Sequence, residues 1–134
     1  MSVIDIQSFD QFEQILMNQG DEKHQYEHIV VDFYGTHCPP CKTFSPIFDQ
    51  LAKKYENTNI CFLKVNIQNY KSDLGDIASE CMISNIPSVV FLNVGNWKTV
   101  MTTLVGAAQV INQTETSINQ WINESNTVTI SNEF

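Results

Sequence analysis

Two cysteines separated by two residues, Cys38 and Cys41, stand where an apolar run gives way to a helical pattern. A thiol pair at this spacing can carry electrons by opening and closing a disulfide, provided that one sulfur ionises, because the thiolate is the nucleophile in exchange. The local sequence favours this. Each of the consecutive prolines Pro39 and Pro40 disfavours helical geometry in the residue before it, so Cys38 is expected to be extended and exposed, with Pro40 opening the helix. The first-turn amides of Cys41 and Lys42 lack helical acceptors and, with the helix dipole, favour an anion at Cys38. A contribution of about 1 to 2 kcal/mol lowers a thiol pKa by roughly one unit from near 8.5. Pro39 removes one possible donor, and His37 supplies positive charge when protonated, so these two effects oppose each other.

Two other readings of the pair stand beside this one. A structural bridge over so short a loop stabilises by only about 2 kcal/mol in the chain-entropy model. A zinc site needs four ligands, and no second close cysteine pair is available: Cys61 and Cys81 fall in a predicted strand and a predicted helix. Both read as small buried hydrophobes, with regulatory oxidation of Cys81, near a helix end, as the alternative.

The elements that must hold the pair follow from periodicity. Val3 to Ile6 reads as a short strand, and Ser8 with Gln11 as a capping box for a helix carrying Phe12, Ile15 and Leu16 and ending at Gly20. A polar loop over Asp21 to Glu27 precedes Ile29 to Tyr34, a β-branched and aromatic run typical of a strand covered on both faces. The helix after the cysteines carries Phe44, Ile47, Phe48, Leu51 and Tyr55, and Pro46 inside it should bend the axis. Ile60 to Val65 is a further strand, Asp73 to Met82 a helix, and Ser88 to Asn93 and Trp97 to Val105 a hairpin through Val94-Gly95-Asn96. A last helix is expected from Asn112, with Ile118, Trp121 and Ile122 on one face. Phe33, Phe44, Phe48, Phe62 and Phe91 are assigned to the core, and His24 and His28 to a loop and a strand edge. The order suits an α/β domain with a mixed sheet and helices on both faces. Residues 1–125 are expected to form one domain and 126–134 a polar tail.

The 134 residues carry a formal charge of −8, 43% hydrophobic and 16% charged residues. That is enough apolar mass for a core without staples. Seven dispersed basic residues and a pI near 4.6 argue against nucleic-acid binding. No run approaches the roughly 18 apolar residues of a membrane span, and the opening MSVIDIQSFD lacks the lysines of a secretion signal, so a reducing, cytoplasmic compartment is expected.

The stretch Val31-Asp32-Phe33-Tyr34-Gly35-Thr36-His37-Cys38-Pro39-Pro40-Cys41-Lys42, followed by Pro46 and by Ile86-Pro87-Ser88, resembles the thioredoxin family. The likeness runs from about Val3 to Trp121. It implies the thioredoxin fold, a central five-stranded mixed sheet with about four helices. It also implies a protein-disulfide reductase in which Cys38 attacks a substrate disulfide and Cys41 resolves the mixed disulfide. Asp32 matches the family's buried acid behind the second cysteine, where desolvation would raise its pKa and let it take the proton of Cys41. Lys64 matches a lysine found near that acid. Ile86-Pro87 matches a cis-proline turn that presents backbone to an extended substrate, and Gly95 and Gly106 match family glycines, Gly106 beside the groove. His37, Pro39 and Pro40 would complete the substrate surface. No bound cofactor or metal is implied; electrons would come from NADPH through a thioredoxin reductase, and the partners would be that reductase and disulfide-containing proteins, met by a monomer.

Three features depart from the family pattern. His37 replaces the usual Trp, exchanging an aromatic docking surface for a smaller titratable one. Cys-Pro-Pro-Cys replaces Cys-Gly-Pro-Cys, which bears on the balance of dithiol and disulfide. Ala107 to Ser117 reads as a longer connection into the last helix. A disulfide oxidase or isomerase of the same fold, and a non-catalytic binding module, are the competing functions.

Overall fold

The structure is a computed structural model that describes residues 3–17, 26–68, 72–93 and 96–132, with the backbone alone for 96–102 and 124–132. The elements follow in the order β1 (Val3–Asp5), α1 (Phe9–Leu16), β2 (His28–Tyr34), α2 (Pro39–Lys54), β3 (Ile60–Asn66), α3 (Leu74–Glu80), β4 (Ser88–Asn93), β5 (Asn96–Val105) and α4 (Ala107–Asn132). One five-stranded sheet has the order β1-β3-β2-β4-β5. β1, β3 and β2 run parallel, while β4 is antiparallel to β2 and β5 to β4. β2 lies at the centre and is buried from Ile29 to Phe33, as an uninterrupted apolar run requires. His28 is its first residue, half-buried, with its ring 4.0 Å from that of Trp121.

Alternation along the strands divides the core in two. Ile29, Val31, Phe33, Leu63 and Val65 face α1 and α3 through Phe12, Leu16, Leu74 and Ile77. Val30, Phe62, Val89 and Phe91 face α2 and α4 through Phe44, Phe48, Ile118 and Trp121. All five aromatic residues assigned to the core from sequence are buried. By the same two-residue period, Asp32 and its cross-strand partner Lys64 belong to the α2 face.

Helix starts explain most boundary differences. Ser8 Oγ accepts the Gln11 amide, as a capping box predicts, but the Gln11 side chain accepts the amide of Gln7 instead of that of Ser8. The same device begins α4: Gln109 Oε1 accepts from the Val105 amide, and the Gly106 carbonyl accepts from Val110. The last helix therefore starts at Ala107, not Asn112, and the long connection expected over Ala107 to Ser117 is helix. The backbone stays helical to Asn132, so the polar segment from Asn126 continues α4. α3 is shorter than expected, with Asp73 and Cys81 as its flanking residues. α2 passes unbroken through Pro46. Gly20, His24, Val94 and Gly95 lie outside the described residues.

Candidate active site

Cys38 caps α2 with extended backbone, φ −134° and ψ 94°, and its Sγ accepts the Cys41 amide at 3.3 Å. The helix begins one residue earlier than expected: Pro39 is its first residue and Pro40 its second, both positions where a missing amide costs no helical hydrogen bond. The Lys42 amide is not free to face the sulfur, because the Cys38 carbonyl accepts it at 3.2 Å. One backbone donor, not two, thus points at the Cys38 sulfur. Cys38 and Cys41 form a disulfide with Cα atoms 5.2 Å apart. Cys38 is only 6% exposed, against the expectation of an exposed residue. The bond to Cys41 and the Cys41 amide hold its sulfur against the helix start instead of letting it project.

Around this pair the sheet gathers the other candidates at one edge. β2 and β4 are antiparallel with Phe33 opposite Ser88, so Ile86 and Pro87 lie alongside the end of β2. The Ile86-Pro87 bond is cis. The Pro87 carbonyl accepts the amide of Gly106 at 2.8 Å, and Gly106 has φ +87°, a conformation that favours glycine. Gly35 joins the two sides: a Cβ built on it would lie 2.5 Å from Gln68 Cδ and 2.6 Å from Ile86 Cδ1. His37, Pro39 and Pro40 are exposed on the rim, Ile86 is half-buried and Pro87 buried. The structure therefore places His37, Cys38, Pro39, Ile86, Pro87 and Gly106 at one end of the sheet.

Asp32 is 1% exposed and faces α2, the helix that carries Cys41. Burial pushes its pKa up to about 7, Lys64 opposes the shift and Asp49 adds to it. Among the described residues, its Oδ1 has no hydrogen-bond partner. Such a group exchanges a proton near neutrality, which is what a base for a buried thiol requires. Lys64 is half-buried. Its ammonium hydrogen-bonds Ser45 Oγ, pairs with Asp49 at 3.3 Å and lies 5.9 Å from the centre of the Tyr34 ring. Tyr34 donates to both Asp5 carboxylate oxygens at 3.2 Å, and burial with Asp5 pushes its pKa up to about 12.

Cys61 and Cys81 are 2% and 3% exposed, and burial pushes their pKa values up to about 12 and about 11. Cys81 is thus not open to the oxidation weighed for it, since the thiolate is the species that oxidises. Among the described residues, no group of three or more His, Cys, Asp or Glu could hold a metal ion.

Sequence reasoning assigned no role to Gln68, Asn66, Ser45 or Asp49. Asn66 ends the strand paired with β2, opposite Tyr34, and Gln68 lies two residues beyond it, so parallel register sets them beside Gly35, Thr36 and His37. Polar residues just past a buried run are the signal that would have found them.

A disulfide-forming cysteine pair at a helix N-terminus, near a cis-proline turn, with a buried acid on the sheet face that the helix covers, defines a thiol-disulfide oxidoreductase site. Comparison with known proteins agrees. The family model "Thioredoxin" matches residues 3–124. Thioredoxin of Ictalurus punctatus is 36% identical over 93 residues, covering 69% of this chain and 78% of that protein. Thioredoxin of Callithrix jacchus is 38% identical over 90 residues, covering 67% and 75%. The crystal structure of Schistosoma mansoni thioredoxin pre-protein superposes with a TM-score of 0.68 at 28% identity, covering 88% of this chain and 96% of that one. The chain belongs to the thioredoxin family. It is a thiol-disulfide oxidoreductase that reduces protein disulfides.

Proposed function

We propose that Cys38 is the attacking sulfur and Cys41 the resolving one. The Cys38 thiolate displaces one sulfur of a substrate disulfide, which leaves as a thiolate, and forms a mixed disulfide. Cys41 then loses its proton to Asp32, directly or through water, and attacks the Cys38 sulfur. The second substrate thiolate leaves, and the substrate has gained two electrons while Cys38 and Cys41 close their own disulfide. The observation that carries this assignment is the Cys41 amide aimed at Cys38 Sγ across the start of α2. A donor there favours the charged sulfur at Cys38, whereas the buried Cys41 sits on the helix that faces Asp32.

The substrate is an extended segment laid against Ile86 and Pro87, with His37, Pro39, Pro40 and Gly106 along its sides. The dithiol is itself the electron carrier, so no bound cofactor is needed. It is regenerated from NADPH by a thioredoxin reductase in a reducing, cytosolic compartment, where dithiols persist. The chain acts as a single-domain monomer on disulfide-containing proteins. A net charge of −8 opposes binding to phosphate backbones, which speaks against nucleic acid as a partner.

The test is catalysed reduction of a model protein disulfide by wild type, Cys38→Ser and Cys41→Ser. Loss of turnover in both variants, with mixed disulfides accumulating only through Cys38 of Cys41→Ser, supports the assignment. Trapping through Cys41 of Cys38→Ser, with none through Cys38 of Cys41→Ser, would reverse the roles. A dithiol potential as oxidising as about −150 mV would instead favour an oxidase or isomerase.

A further inference from the structure

The turn between β2 and α2 is tied down from the β3 side by side chains outside the sequence motif. Gln68 Oε1 accepts the backbone amide of His37 at 2.8 Å. Asn66 Nδ2 donates to Thr36 Oγ1 at 3.0 Å, and Asn66 Oδ1 accepts the Gln68 amide at 3.0 Å, so the acceptor is itself held. Gly35 makes room for it, since a Cβ at that position would overlap the Gln68 carboxamide. Thr36 and His37, the two residues before Cys38, are therefore fixed against the end of β3. The start of α2 fixes the sulfur from the other side through the Cys41 amide.

We infer that Gln68 is a positioning residue for disulfide exchange: its side-chain carbonyl holds the His37 peptide and so aims Cys38 at the substrate. This rests on Cys38 being the attacking sulfur. In-line attack on a disulfide tolerates little angular error, and a nucleophile held in the reactive geometry reacts faster than one that samples many. Gln68 is also neutral. A carboxylate in its place would accept the same amide but add negative charge near a thiolate, which disfavours the ionised sulfur.

Three variants separate these effects. Gln68→Met keeps the length of the side chain and removes the acceptor. Gln68→Glu keeps the acceptor and adds charge. Cys38→Ser tests the underlying reading of the site. Turnover of a model protein disulfide is resolved into kcat and KM, with the rate of Cys38 alkylation followed against pH and folding checked by thermal melting. We expect Gln68→Met to lower kcat about three- to tenfold, the worth of one hydrogen bond, with KM and the alkylation midpoint unchanged. Gln68→Glu should recover kcat at alkaline pH while its alkylation midpoint moves upward. Wild-type kcat in a folded Gln68→Met overturns the inference. So does a Gln68→Glu variant as slow as Gln68→Met at every pH, because side-chain shape and not the acceptor would then matter. Activity that survives Cys38→Ser would overturn the reading of the site itself, whichever way the Gln68 variants behave.

Discussion

Asp32 and Lys64 are directly opposite on neighbouring parallel strands, yet Asp32 Oδ1 has no hydrogen-bond partner among the described residues, while the Lys64 ammonium bonds Ser45 and Asp49 on α2. The acid is buried and only partly compensated. This explains why desolvation dominates its proton affinity and Lys64 merely moderates it. It also suits the proton-accepting role proposed for Asp32.

The first prediction concerns stability. With its pKa raised from 3.8 to about 7, Asp32 holds a proton in the folded state through a range where the unfolded chain has lost it. The stability this contributes is complete below about pH 4 and is lost as pH rises through about 7, a change on the order of 4 kcal/mol. Asp32→Asn cannot ionise. Denaturant unfolding of the disulfide form should show wild type losing stability relative to Asp32→Asn between pH 4 and pH 9; parallel curves would contradict the shift.

The neighbours of Asp32 should move its titration in opposite directions. Lys64 lowers the Asp32 pKa and Asp49 raises it. A carboxyl NMR titration should therefore place the Asp32 midpoint higher in Lys64→Met and lower in Asp49→Asn than in wild type. A Lys64→Met midpoint that falls would show that the ammonium acts elsewhere.

Reactivity should differ sharply among the four thiols of the reduced protein. Cys61 and Cys81 are buried with strongly raised pKa values, so brief alkylation at pH 8 should leave both unmodified until denaturant is added. Cys38 should react first, once reduction releases its sulfur from Cys41. Mass spectrometry of peptides reads this directly, and rapid labelling of Cys81 in the native state would contradict its burial.

Two glycines should respond differently to alanine. At Gly106 nothing lies within 4 Å of an added Cβ, so Gly106→Ala carries only the conformational penalty of φ +87°, roughly 1 to 2 kcal/mol. At Gly35 the new methyl would meet the ends of the Gln68 and Ile86 side chains. Both can yield, so the stability loss should be of similar size, but the displaced groups adjoin the redox pair. Turnover per folded molecule should fall several-fold in Gly35→Ala, and wild-type turnover in a folded Gly35→Ala would contradict this.

Most of the framework was legible because it depends on local patterns. The apolar runs of β2 and β3, the helical spacing after Cys41 and the capping signal at Ser8 each describe a single element, and each appears close to its expected place. The start of α4 was missed because Gly106 turns the chain directly into the helix and Gln109 ties it back to Val105. A single glutamine does not announce such a bond. The exposure of Cys38 was misjudged for another reason: residue type sets the backbone at a cap, but the state of the sulfur depends on its partner.

From sequence alone came the cysteine spacing, the extended cap at Cys38 and the acid in a hydrophobic strand. These follow from covalent geometry and short-range periodicity, which travel with the residues. Tertiary structure decided which distant groups meet: Gln68 with the His37 amide, Ile86 over Gly35, Lys64 with Ser45 and Asp49 above Asp32. Those contacts depend on register between strands and on the seating of α2 against the sheet. Both are set by the packing of the entire core, so no short stretch of the chain specifies them.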